Sequence, residues 1–217
     1  MAVLRALLFD FDGLMLDTEN ACFGGWKWVF ETHGLDYQLE EFQQIVGTDK
    51  SPRPLLEERL GAIPDWESVD VERREYERQL GCDMEIKPGV MELLSEAFSR
   101  GWKRAVVSSS PRHWVHPHLE RRGVSHLFED FICHGDAPRA KPAPDLYVEA
   151  LRRLDVTGAE SVALEDSYNG ALAAKTAGIW CVAVPNDITR SMDFSHADLV
   201  TEDLSGLNLD VLSRRFG

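Results

Sequence analysis

The chain has 217 residues, of which 44% are apolar and 28% charged, and 23 Lys and Arg against 37 Asp and Glu leave a formal net charge of −14. A chain of this length buries a hydrophobic core without disulfide or metal staples, which excludes a largely disordered protein. The acidic balance, with no Lys/Arg run longer than a pair, argues against nucleic acid and anionic membranes as partners, because both reward clustered cations. No stretch approaches the ~18 apolar residues of a membrane span. Arg5 and Asp10 fall where a signal peptide stays apolar, so a cytoplasmic location is expected. Cys22, Cys82, Cys133 and Cys181 are far apart with no paired spacing, which fits reduced thiols rather than a disulfide frame or zinc site.

In chain order, the first element is the apolar run Ala6-Leu7-Leu8-Phe9, ending in Asp10-Phe11-Asp12-Gly13, as suits a strand buried on both faces of a parallel sheet. Residues 17–87 then read as helix after helix, with helical character over 21–32, 54–60 and 69–80 and punctuation at Gly34, Gly47, Gly61 and Pro64. From residue 88 the pattern alternates. Helices are expected over 90–100, 114–122, 145–154 and 168–177, three of them stopping at Gly101, Gly123 and Gly178. Strands are expected at 105–107, 162–164 and 179–184, with weaker candidates at 131–133 and 199–200. Strand alternating with helix predicts an α/β, doubly wound parallel sheet. The helical stretch predicts a small bundle inserted after the first strand. The expected division is a core of residues 1–16 and 88–217 and a helical cap of residues 17–87, with hinges near Leu16-Asp17 and Lys87-Pro88.

Ligands of open parallel sheets bind outside the carboxyl ends of the strands, and the polar residues here fall at those ends. The first strand delivers Asp10 and Asp12, a second Ser108, and a third Glu165 and Asp166, while Lys141 lies in the loop Arg139-Ala140-Lys141-Pro142-Ala143-Pro144. Four carboxylates brought together repel unless a cation neutralises them, and all-oxygen ligation suits Mg²⁺. Lys141 and Ser108 supply the ammonium and hydroxyl that a tetrahedral dianion needs. The pattern therefore predicts phosphoryl transfer, with Asp10 as nucleophile and Asp12 as the acid that protonates the leaving oxygen and later activates water.

These residues resemble the haloacid dehalogenase superfamily of phosphatases and mutases, and within it the β-phosphoglucomutase-like group with a helical cap. The resemblance covers nearly the whole chain. It rests on residues 10–18, Asp10-Phe11-Asp12-Gly13-Leu14-Met15-Leu16-Asp17-Thr18, on Ser108, on Lys141-Pro142-Ala143-Pro144-Asp145, and on Leu164-Glu165-Asp166-Ser167 with Gly170. It implies a Rossmann-like core, with Asp10 and Asp12 catalytic. It also implies Mg²⁺ held by the Asp10 carboxylate, the Asp12 carbonyl and Asp166 with Glu165 close by, and phosphate held by Ser108, Lys141 and the Ser109 N–H. The halide-removing members lack an acid at the second Asp position, so Asp12 argues against dehalogenation. The expected activity is that of a Mg²⁺-dependent phosphatase acting on a small phosphorylated metabolite, a sugar phosphate, beneath a closing cap. Alternatives are a phosphosugar mutase and a non-enzymatic receiver-like phospho-acceptor. In the resembling mutases a His stands five residues after the Asp matching Asp17; here that residue is Cys22, while Lys50 is a counterpart of the family's basic cap residue.

Plainer roles compete at several positions. Ser108 to Ser110 can cap a helix ahead of Pro111, and Glu165-Asp166 can cap the helix that follows. His113, His116 and His118 crowd one stretch, but a helix puts them on different faces, so no metal site is expected there. Phe23, Trp26, Trp28 and Phe30 read as packing residues, and Arg73, Arg74 and Arg78 as a solvated helix face. A monomer is the default expectation.

Overall fold

Buried on every side, Ala6–Phe9 forms β1 and takes the middle of the sheet. In the computed structural model, which describes residues 3–81 and 84–217, β2 (Lys103–Pro111) and β4 (Ser161–Glu165) flank it in parallel. β3 (Asp130–His134), β5 (Trp180–Ala183) and the two-residue β6 (Leu199–Val200) complete the order β3-β2-β1-β4-β5-β6. Every pairing is parallel. The register sets Phe9 beside Val106 and Leu164, so β1 and β4 end within a residue of each other, while β2 continues to Pro111.

Strand residues alternate between two apolar layers, as a pleated strand requires. Leu7, Phe9, Val106, Val162 and Val182 face α5 (Val90–Ser99), α6 (Arg112–Arg121) and α9 (Leu209–Phe216). Leu8, Ala105, Val107, Ala163 and Cys181 face α7 (Asp145–Leu154) and α8 (Tyr168–Thr176). The result is a doubly wound, Rossmann-like sheet. Both weaker strand candidates form. Helix α9 was outside the expected elements, although Leu209, Leu212 and Phe216 keep helical spacing behind Asn208, whose side chain accepts from the Val211 N–H.

Among the described residues, four helices lie between β1 and α5: α1 (Thr18–Thr32), α2 (Leu39–Gln43), α3 (Arg53–Leu60) and α4 (Trp66–Gly81). Helix α2 is too short to establish a period, so the sequence left it unassigned. The group has its own apolar cluster, around Trp26, Val29, Phe30, Tyr37, Phe42 and Leu56. Phe30 stacks on Tyr37 at 4.4 Å and Trp28 on Tyr76 at 5.2 Å, so the aromatic residues of α1 are packing residues as expected. Arg74 and Arg78 are exposed, but Arg73 is not part of a solvated face. Its guanidinium lies 4.6 Å from the Trp26 ring centroid and pairs with Glu77 and Asp70. Cation–π contact and ion pairing hold it down. The two chain segments joining this insertion to the sheet cross in contact, where the Lys87 N–H donates to the Met15 carbonyl and Lys87 Nζ to the Gly13 carbonyl.

Two of the plainer roles are corrected here. Ser108 to Ser110 belong to β2, and the residue preceding α6 is Pro111, with no side-chain cap. Helix α8 is capped by the Ser167 hydroxyl accepting from the Gly170 N–H, not by Glu165 or Asp166. Among the described residues, no helix is long and apolar enough to cross a membrane. Cys22, Cys133 and Cys181 are free thiols; Cys82 lies outside the described residues. Because Phe30 is fully buried and stacked, Phe30→Ala should lower unfolding free energy by about 3–5 kcal/mol, read by denaturant titration. A loss below about 1 kcal/mol would mean that the insertion's cluster carries little of the stability.

Candidate active site

The strand ends deliver their polar groups to one place. Asp10 follows β1 and its N–H donates to the Leu164 carbonyl of β4. Glu165 ends β4, Asp166 follows it, and both are buried. Lys141 arrives from the loop before α7 with 2% of its surface exposed. Its ammonium donates to Asp10 Oδ1 at 2.5 Å, Glu165 Oε1 at 2.6 Å and the Val107 carbonyl at 2.7 Å. The Tyr147 hydroxyl donates to the same Glu165 oxygen. Glu165 Oε2 is buried with no hydrogen-bond partner, and a Cβ at residue 170 would stand 1.9 Å from it. Gly170 is therefore the residue that leaves room for this carboxylate.

A second layer was not singled out in the sequence. Glu19, in the first turn of α1, is buried beside Asp166. Asn186, just past β5, donates through Nδ2 to Asp166 Oδ2 at 2.7 Å and Glu19 Oε2 at 3.0 Å. Gly13 closes the loop after β1 with φ +79°, where a Cβ would come within 2.1 Å of Asp166 Oδ2. Only glycine meets both the backbone angle and the space.

The Asp12 carboxylate faces other partners. Oδ1 accepts from Thr18 Oγ1 at 2.7 Å and Trp114 Nε1 at 2.9 Å, and Oδ2 from Ser110 Oγ at 2.6 Å. Ser108 is buried, its hydroxyl accepting from the Ser110 N–H. The Ser109 hydroxyl donates to the Gly47 carbonyl of the insertion. His116 lies 3.5 Å from Glu120 and His118 packs on Trp114, so the three histidines make no common site. Among the described residues, the ligand atoms close enough to hold one metal ion are those of Asp10, Glu165 and Asp166, within 4.8 Å of one another.

The electrostatics call for a cation. Burial pushes Asp10 well above the usual carboxylate range against the pull of Lys141, with the Glu165 charge adding to the rise. Asp166 rises through burial and through the Glu19, Asp10 and Glu165 charges. Burial raises Glu19 to about 7. Burial alone would lower Lys141, but the Asp10 and Glu165 charges outweigh it, and it stays protonated. One ammonium does not balance this many acids. Three oxygen donors and an unpartnered buried carboxylate oxygen are the hard donor set that suits Mg²⁺.

A match to the haloacid dehalogenase-like hydrolase family spans residues 4–178. The chain belongs to that family. The fold of this haloacid dehalogenase-like hydrolase is similar to that of a β-phosphoglucomutase-like structure from Thermotoga maritima, with a TM-score of 0.75 at 27% identity, covering 97% of this chain and 99% of that one. YhcW of Bacillus subtilis (strain 168) is 37% identical over 212 residues, covering 97% of this chain and 96% of its own. A phosphorylated carbohydrates phosphatase of Thermotoga maritima is 30% identical over 178 residues, 81% of this chain and 82% of its own. A variant of CbbY from Rhodobacter sphaeroides, crystallised with xylulose-1,5-bisphosphate, superposes with a TM-score of 0.78 at 27% identity, covering 94% of this chain and 96% of that one.

The crowding has a pH signature. A carboxyl whose folded pKa is raised favours folding while protonated, so Glu19 contributes fully below its ordinary value of 4.5 and loses that contribution as pH rises through about 7. In chelator, the melting temperature should fall between pH 5 and 7.5, by about 2–4 °C per kcal/mol. Glu19→Gln should flatten the slope, and Mg²⁺ should raise the melting temperature more at pH 7.5 than at pH 5. An equal Mg²⁺ effect at both pH values would contradict the crowding.

Proposed function

We propose that the chain is a Mg²⁺-dependent phosphoric monoester hydrolase that releases phosphate from a small phosphorylated metabolite, a sugar phosphate, through an aspartyl-phosphate on Asp10. The observation that carries this reading is the buried Lys141 ammonium joining Asp10 to Glu165 beside Asp166. A nucleophilic carboxylate, a fixed cation and a divalent-ion pocket thus share one point. The phosphorylated-carbohydrate phosphatase relative and the sugar bisphosphate bound to the CbbY variant support the substrate class.

In the first step an Asp10 oxygen attacks phosphorus, the bond to the sugar oxygen breaks, and Asp12 gives that oxygen its proton. In the second, Asp12 takes a proton from water as the water oxygen attacks the phospho-enzyme. Phosphate leaves and Asp10 is regenerated. Lys141, the Ser108 hydroxyl and the Ser109 N–H hold the equatorial phosphoryl oxygens. When bound by Asp10, Asp166, the Asp12 carbonyl and Glu165, Mg²⁺ would neutralise the acids and stabilise charge on the phosphoryl group.

Residues 17–87 serve as a cap in this reading. Their lower edge rests on the sheet's catalytic end: Ser109 donates to Gly47, Asn169 Nδ2 to the Val46 carbonyl at 2.8 Å, and Gln43 Nε2 to the Ile188 carbonyl at 2.6 Å. Such an enclosure admits small substrates and excludes water during the first step. Cys22 packs at the edge of the insertion's apolar cluster, and burial pushes its thiol far above the usual cysteine range. A neutral thiol supplies neither the charge nor the hydrogen bonds of the mutase histidine, which favours water as the acceptor.

Asp10→Asn should retain the fold and lose essentially all turnover of a generic phosphomonoester; near wild-type hydrolysis would remove Asp10 from the chemistry. With β-glucose 1-phosphate, any turnover should give free phosphate. Glucose 6-phosphate as the main product would assign the mutase instead.

A further inference from the structure

Asp12 needs a fixed direction to deliver a proton, and the contacts that fix it come from three elements. Thr18 belongs to the insertion, in the first turn of α1, whereas Ser110 and Trp114 belong to the sheet's own β2 and α6. The Trp114 indole N–H meets Asp12 Oδ1 at 2.9 Å. The ring is 38% exposed at residue level, yet pinned on its inner side by His118 at 4.5 Å, itself 5.9 Å from Phe11. An indole N–H only donates, whereas a serine hydroxyl donates or accepts. Oδ1 is therefore committed to accepting hydrogen bonds, and the proton that Asp12 gives up belongs on Oδ2, beside Ser110.

We infer that Trp114 is a positioning residue for leaving-group protonation: its N–H holds Asp12 Oδ1 as an acceptor and turns the proton-bearing Oδ2 toward the leaving oxygen. The inference rests on the reading of Asp12 as general acid. It predicts a requirement for Trp114 that grows with the basicity of the leaving group. An alkoxide departs only with a proton, while p-nitrophenolate departs without one. Because Thr18 travels with the insertion, Trp114 is the partner of Oδ1 that stays with the sheet.

The test compares kcat/KM, which reports the steps up to alcohol release, for p-nitrophenyl phosphate and for the alkyl phosphate that the wild type turns over fastest. Trp114→Phe keeps a ring and removes the donor. It should lower kcat/KM for the alkyl phosphate about tenfold more than for p-nitrophenyl phosphate. Trp114→Met, a second donor-less variant, covers failure of the phenyl ring to pack. In an Asp12→Asn background, single-turnover alcohol release should show no further selective loss from Trp114→Phe. Equal losses on both substrates in folded Trp114→Phe and Trp114→Met proteins would overturn the inference and assign Trp114 a packing role. If instead Asp12→Asn itself spares the alkyl phosphate, the general-acid reading of Asp12 fails first.

Discussion

Three neighbouring strands are tied by one ammonium group. Lys141 Nζ touches Asp10 after β1, the Val107 carbonyl of β2 and Glu165 at the end of β4. Removing a lysine from water costs several kcal/mol, which its attraction to two buried carboxylates offsets only if the geometry is tight. The rest of the site follows from that demand. Glu165 must be held against the ammonium, so Tyr147 donates to it and residue 170 has no side chain. Asp166 is crowded against Glu19, and Asn186 donates to both. The unpartnered oxygen of Glu165 and the raised acids mark what one lysine leaves unbalanced.

A second constraint comes from the position of the insertion between β1 and α5. The chain leaves the sheet immediately after Asp10 and returns through Lys87, which contacts the same loop it left. The first turn of α1 is thereby forced against the site, and Thr18 and Glu19 become part of it. Groups that read as the start of a helix are also partners of Asp12 and Asp166.

Much of this was legible in the chain. Continuous apolar runs mark strands buried on both faces, and the carboxylates, hydroxyl and lysine stand where parallel strands end. What the sequence concealed were partnerships between distant residues. Asn186 follows β5 and obeys the same strand-end rule as Asp10, yet an amide carries no obvious chemistry until its partners are known. Tyr147 looks like another apolar position of α7, and Trp114 like the start of α6; their polar atoms matter because of Glu165 and Asp12, in other segments. The serines after residue 107 were open to two readings because Pro111 suits both a strand end and a helix start. Arg73 was misread because charge along a helix suggests solvent, whereas α4 turns it under Trp26.

Ile188 lies two residues beyond Asn186 and packs, 3% exposed, into the insertion's apolar cluster rather than the sheet's. The connection after β5 is in this sense shared property. Asn186 is anchored to the acids, and Ile188 to the helices above them. Sliding the insertion away would either draw that connection along or pull Ile188 out of its socket, at about 1.5–3 kcal/mol for exposing a side chain of this size. Any opening would thus be linked to the site geometry through the two peptide units between Asn186 and Ile188, and the burial of Ile188 would oppose it.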